Sequence, residues 1–260
     1  MAATRAKHVL VTIPASNFCE KARWGLRMAK VDFIEENHAP LFHYAGTVSK
    51  GGRSVPLLLV GGSKSILKSS DEIMTFCGEK LPALYPNDTV KDKELYYDNK
   101  FGPHARRYAY HTLFSMGPVG RAVVTDPLES AALSTTVSAV FPVLKSLLIR
   151  SLNVTPEGAE RSWAKIEAEF ARVDDILGAA PLGSTYLAGP TFSAADISFC
   201  SHVSMLLGPK QSRYIAPYLN PANMPPKFQE RYEFLRRSKA GQFVLYCYEK
   251  HYPSALESKL

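Results

Sequence analysis

Cysteine is scarce. The 260 residues hold four, Cys19, Cys77, Cys200 and Cys247, far apart in the chain and forming neither a CxxC pair nor a His-spaced zinc pattern. That spacing speaks against a disulfide framework or a structural zinc site, and for reduced thiols in a cytosol-like compartment. The opening MAATRAKHVL has no signal-peptide apolar core and no small-residue cleavage site, so a cytoplasmic location is expected, although a trimmed organelle import sequence is compatible with its few basic residues. No long apolar run goes uninterrupted: the most apolar stretch, LSTTVSAVFPVLKSLLIRSL (133–152), contains Pro142, Lys145 and Arg150. It is predicted to be a helix buried in a bundle, with no membrane insertion. Repeats and low-complexity tracts are missing too.

Neither charge sign dominates one region. Lys plus Arg number 31 against 24 Asp plus Glu, and the net +7 is divided almost evenly between the first 88 residues and the remainder. Without a basic tail or stripe, nucleic acid is not an expected partner; small anionic substrates or plain solubility suit the balance better.

What is present marks an ordered globular chain. Hydrophobic residues make up 46%, with 13 Tyr and 13 Phe, enough apolar content to offset conformational entropy over one large domain or two modest ones. The first eighty residues alternate strand and helix signals. HVLVTI (8–13) is a β-branched run, and NFCEKARWGLRMAK (17–30) has helical apolar spacing with Ser16 placed as N-cap. VDFIEE (31–36) is a second strand, then comes a loop with Gly46, Gly51 and Gly52. SVPLLLV (54–60) and KSILK (64–68) flank a Gly61-Gly62 turn as a hairpin, and SSDEIMTFCGE (69–79) is a short helix. LPALYPNDTVKD (81–92) is predicted to be a linker, followed by helices at 90–117, 129–152, 155–179, 193–208, 226–238 and 241–251.

Val55-Pro56 raises the chemical question. Proline inside a strand removes a ladder N–H, so it belongs at a strand start, at an edge, or where a cis bond leaves the preceding backbone free to pair with an extended peptide. Ser16 and Ser70 lie at two helix starts, where unpaired amides favour negative charge. Three such elements converging on one small acidic peptide describe a thioredoxin-like unit.

These residues resemble a family. SNFCEKARW, SVPLLLV and KSSDEI, followed by an all-helical half, look like a cytosolic glutathione transferase. TYLAGPTFSAADISFCSHVSML (185–206) resembles that family's Y-L-x-G-x-x-[FY]-[ST]-x-A-D run, with Ser193 and Asp196 as an S-x-x-D capping box. FGPHARRYAYHTLF (101–114), LNVTPEGAERS (152–162) and GQFVLYCYEKHYP (241–253) look like a bacterial-like subgroup. The resemblance implies a thioredoxin-like glutathione-binding domain over 1–82, an all-α domain over 90–260, and a homodimer.

It also implies roles. Ser16 would donate a hydrogen bond to the glutathione sulfur and favour thiolate over a thiol that otherwise titrates near ~8.5. Val55 would pair main chain to main chain with the cysteinyl part, Pro56 would help to position it, and Ser70 would hold the γ-glutamyl carboxylate. The family carries an acidic residue or Gln before that serine; here it is Ser69, which weakens the expected grip on the γ-glutamyl amine unless Asp71 or a partner subunit's acid compensates. Arg53, Lys50 and His43 are candidates for the glycine carboxylate. Arg106 and Tyr110 share one helical face and are candidates for the second-substrate pocket, the alternative being interdomain packing. His104 and His111 have no acidic or cysteine companion, so no metal is expected.

The expected activity is conjugation of glutathione to an apolar electrophile. Two rivals stand beside it. One is a non-catalytic glutathione- or ligand-binding protein of the same fold. The other is a thiol-disulfide reductase using Cys19, which sits one turn into the first helix beside Lys21 and Arg23, and which otherwise reads as a buried helical cysteine.

Overall fold

The computed structural model describes residues 7–253; the start of the chain, on which the reading about leader sequences rests, lies outside them. The sheet has four strands in the order β2-β1-β3-β4: β1 (His8–Thr12), β2 (Phe33–Asn37), β3 (Leu57–Leu59) and β4 (Ile66–Leu67). β1 pairs in parallel with β2 and antiparallel with β3, placing Leu10 opposite Leu58, both fully buried. A parallel pair needs a crossover, supplied by α1 (Asn17–Met28). The antiparallel β3-β4 pair is the expected glycine hairpin, with Gly62 at φ 76°.

The loop after β2 is not wholly loop, because its middle winds into α2 (His43–Val48). Glycine spacing masked this short helix. α3 (Ser70–Lys80) closes the first layer, and its cap is Ser69, whose Oγ accepts from the Glu72 N–H at 3.1 Å.

The predicted linker is partly structured: Leu84 is buried, and α4 (Asp88–Tyr96) begins inside it. The single helix expected over 90–117 is α4, a π-helical stretch Tyr97–Phe101 and α5 (Gly102–Ser115) in succession. Then follow α6 (Pro118–Thr125), α7 (Ala131–Ser151), α8 (Pro156–Leu177), α9 (Ala194–Leu207), α10 (Pro226–Arg237) and α11 (Lys239–His251). The capping box at α9 is present: Asp196 accepts from the Ser193 N–H at 2.9 Å and from the Leu187 N–H at 2.8 Å.

One large apolar core runs through both layers, from Leu10 and Leu58 under the sheet to Phe170 and Phe199 in the helices. α1 lies inside it. Trp24 is fully buried, its ring 4.5 Å from Tyr248 and 5.0 Å from Tyr252, and its indole N–H donates to the His251 carbonyl at 3.2 Å.

α7 corrects the expectation of a buried bundle helix. It is long and apolar enough to cross a membrane by composition alone, with a mean hydropathy of 1.6 over its window, yet only 22% of that window is buried. Val137, Phe141, Leu144 and Leu148 seat it on a second, smaller core with Phe114, Val124 and Leu128, while Val140, Val143 and Leu147 face outward. Its apolar positions thus divide between two sides of the helix.

Candidate active site

The site begins at the end of β1. The chain turns after Ile13, whose carbonyl accepts from the Ser16 N–H at 3.0 Å, and Ser16 adopts extended dihedrals (φ −71°, ψ 126°) as N-cap of α1. Its Oγ accepts from the Cys19 N–H at 3.5 Å. Capping uses a lone pair and leaves the hydroxyl proton available to another acceptor. Ser16 lines a cleft of about 310 Å³.

Across the cleft stands Val55, joined to Pro56 by a cis peptide bond. The sheet ladder with β1 starts only at Leu57, so the Val55 backbone is outside it. Val55 and Arg106 also line an adjoining groove of about 370 Å³, whose other walls are Pro56, Ser69, Ser70, Asp71 and Asp98. Six of the residues named for chemistry, Ser16, Val55, Pro56, Ser69, Ser70 and Arg106, thus border one continuous space, and Arg53 and Tyr110 line the cleft as well.

Asp98 was not foreseen. Its Oδ2 meets the Lys21 ammonium at 2.6 Å and accepts from the Ser70 hydroxyl at 3.2 Å; its Oδ1 accepts from Ser198 at 2.8 Å and from His202 Nε2 at 2.9 Å. Lys21 also pairs with Glu94 at 2.7 Å, and both of those side chains are wholly buried. Burial opposes the charge on Asp98, but the hydrogen bond from His202 and the charge of Lys21 hold its carboxyl well below the usual carboxylate range. Burial keeps His202 below the ordinary imidazole value despite that carboxylate. A neutral ring donating from Nε2 has Nδ1 as its acceptor, and Asn17 Nδ2 donates to it at 2.9 Å. Asn17 Oδ1 is left buried without a partner on the cleft wall. In sequence, Asp98 sits in YYDNKF like any polar residue on a helix, and only the π-helical stretch turns it into the interface.

The remaining candidates separate. His43 is buried on the cleft wall, with burial holding its pKa below the usual imidazole value, and Arg53 is exposed at the rim. Lys50 instead pairs with Glu36 at 2.7 Å, away from the cleft lining. Asp71 is engaged by Lys91. Cys19 is fully buried, and burial pushes its thiol up to about 11 although Arg23 and hydrogen bonds from the Ile13 backbone and Ser16 pull the other way. His104 hydrogen-bonds Ser162 at 3.2 Å, His111 packs on Phe228, and among the described residues no His/Cys/Asp/Glu group is placed to hold a metal. The roof, Leu148, Ser151 and Leu152 at the end of α7, was also missed, since a helix assigned to a bundle interior offers no residue to a cleft.

No family model and no curated protein matches the chain by sequence. Solved structures do match it in shape. A glutathione transferase of Phanerochaete chrysosporium superposes with a TM-score of 0.61 at 16% identity, over 93% of this chain and 96% of that one. The fold is that of the glutathione transferases. A glutathione S-transferase of Ceriporiopsis subvermispora in complex with glutathione gives 0.56 at 13% identity, covering 94% and 97% of the two chains. A theta class glutathione S-transferase of Xanthomonas axonopodis pv. citri with glutathione bound gives 0.52 at 17%, covering 92% and 97%. The mixed sheet followed by helices is the transferase arrangement, and these likenesses do not single out the bacterial-like subgroup.

Proposed function

We propose that the protein is a glutathione transferase of the serine type. The tripeptide lies along the groove with its cysteinyl backbone against Val55, its γ-glutamyl end toward Ser70 and Asp98, and its glycine carboxylate toward Arg53 and His43. Space and chemistry both fit: two adjoining cavities, a buried acceptor without a partner at Asn17 Oδ1, and a strand end outside the ladder.

The observation that carries the reading is Ser16, whose hydroxyl spends a lone pair on the helix and lines the cleft, where its proton can turn from the buried Cys19 thiol to a ligand. That proton donates to the glutathione sulfur once the thiol has lost its own to solvent. The thiolate then attacks the electrophilic carbon, forming the C–S bond as the leaving group departs with its electron pair. We assign no redox role to Cys19, because a buried thiol with a raised pKa is a poor nucleophile. The homodimer rests on the resemblance alone.

Retention on immobilised glutathione and turnover of chlorodinitrobenzene test this directly. Ser16→Ala should raise the pKa of bound glutathione, read from thiolate absorbance against pH, and lower kcat/KM by about tenfold to a hundredfold, the worth of one hydrogen bond to a charged group. Binding without turnover in the unmodified protein would instead identify a ligand-binding module of this fold.

A further inference from the structure

All but one of the buried or half-buried arginines among the described residues are answered by an oxygen: Arg23 by Glu20 and Glu35 at 3.0 and 2.6 Å, Arg172 by Glu169, Arg231 by Glu160 at 2.6 Å, Arg27 by the Tyr252 hydroxyl, Arg107 by the Leu152 carbonyl and Arg236 by that of Leu207. Arg106 is not. Among the described residues no carboxylate pairs with it, and its Nε is buried without a hydrogen-bond partner. The Phe18 ring lies 5.5 Å from its guanidinium carbon. The side chain stands where the groove meets the cleft and lines both.

A guanidinium cannot shed its proton to escape burial, and burial disfavours its charge, pulling its pKa down. The remaining remedy is an anion brought by a ligand. The glutathione carboxylates already have other partners in the proposed pose, at Ser70 and at Arg53 with His43. The cleft wall contains no Asp or Glu. Tyr110, one helical turn from Arg106, lines the same cleft together with the apolar side chains of Leu148, Leu152 and Met205.

We propose that the second substrate is an apolar electrophile bearing a carboxylate, its charge held by Arg106 and its apolar body lodged in the cleft against Tyr110 and Leu148. The reaction rests on the transferase reading above, whereas the recognition does not require it.

The test uses the intact protein and two matched pairs of small aromatics. Calorimetric titration compares dinitrobenzoate with dinitrobenzene, neither of which reacts; steady-state kinetics compares chlorodinitrobenzoate with chlorodinitrobenzene. The unmodified protein should favour the carboxylate in both pairs by about tenfold or more, the value of one charge-assisted contact. Arg106→Gln should abolish that preference, and Arg106→Lys should restore part of it, because charge is kept and the planar fork is lost. Equal affinities for the first pair in the unmodified protein would overturn the proposal without any variant. So would a preference that survives Arg106→Gln, or a variant whose only effect is on the pKa of bound glutathione, which would give the guanidinium to the sulfur. Arg106-dependent binding of dinitrobenzoate by a protein that fails to bind glutathione would uphold the recognition and sink the transferase reading.

Discussion

Between α1 and α9 the chain buries charge; beneath α7 it buries methyl, methylene and phenyl groups, with the Lys145 ammonium half-buried at their edge over the Phe114 ring. At the first place Lys21, Glu94, Asp98 and His202 interlock with Ser70, Ser198 and Asn17, and both oxygens of Asp98 are taken. At the second, four side chains of one helix rest on a single apolar layer while its other side carries Val140, Val143 and Leu147 into solvent. Directional contacts admit one arrangement; apolar contacts of one layer admit several. The Ser70 end of the site is therefore anchored to the first, and the roof of the cleft to the more deformable second.

Removing Lys21 should do the most damage. Lys21→Met takes from Asp98 and Glu94 the wholly buried ammonium they share, leaving Asp98 to His202 and Glu94 to Lys91, so unfolding by denaturant should show a loss of about 3–5 kcal/mol, with glutathione binding impaired through Ser70. The same cluster makes stability fall on acidification. His202 and Asp98 both have lowered pKa values in the folded chain, so the unfolded chain takes up protons first. Their contribution is complete above about pH 6.5, erodes below it as unfolded histidine protonates, and erodes again below about pH 4 as unfolded Asp98 does. A pH dependence of stability between pH 7 and pH 5 that is unchanged in a His202→Gln variant would contradict this assignment.

A smaller loss is expected under the roof. Leu148→Ala should cost about 2 kcal/mol, the low end for a buried leucine, because the hole it leaves opens on the cleft. It should raise KM for an apolar acceptor more than it alters glutathione affinity; an equal effect on both ligands would erase the division between the two ends. Smallest of all is Val143→Ser on the outer side of α7, which should stay within about 0.5 kcal/mol. A larger change would mean that another surface covers this stripe.

Much of the fold was legible because it is periodic or punctuated. β1, α1, the glycine hairpin and the capping box of α9 each carry a signal within a few residues, and they appear where that signal places them. α2 and α6 are short and rich in glycine or preceded by Gly117-Pro118, so nothing local separates them from loop. The site divides in the same way. Ser16, Val55 and Ser70 stand at helix and strand ends, where backbone geometry advertises itself. Asp98 and Asn17 matter through residues a hundred or more positions away, Ser198 and His202, and a single sequence has no means of showing that juxtaposition. The failure at α7 has another origin: hydrophobic spacing reports that a face is apolar, not whether anything lies against it.

Trp24 settles on Tyr248 and Tyr252, and its indole reaches the carbonyl of His251. During synthesis this makes the front of the molecule wait for the rear. A nascent chain that has emerged only through α3 has its strands but not the aromatic seat for its first helix, whose His251 the ribosome releases 227 residues after Trp24. A fragment ending near residue 82 should accordingly be sticky when expressed alone, and a stop codon before α11 should be felt at the very start of the chain.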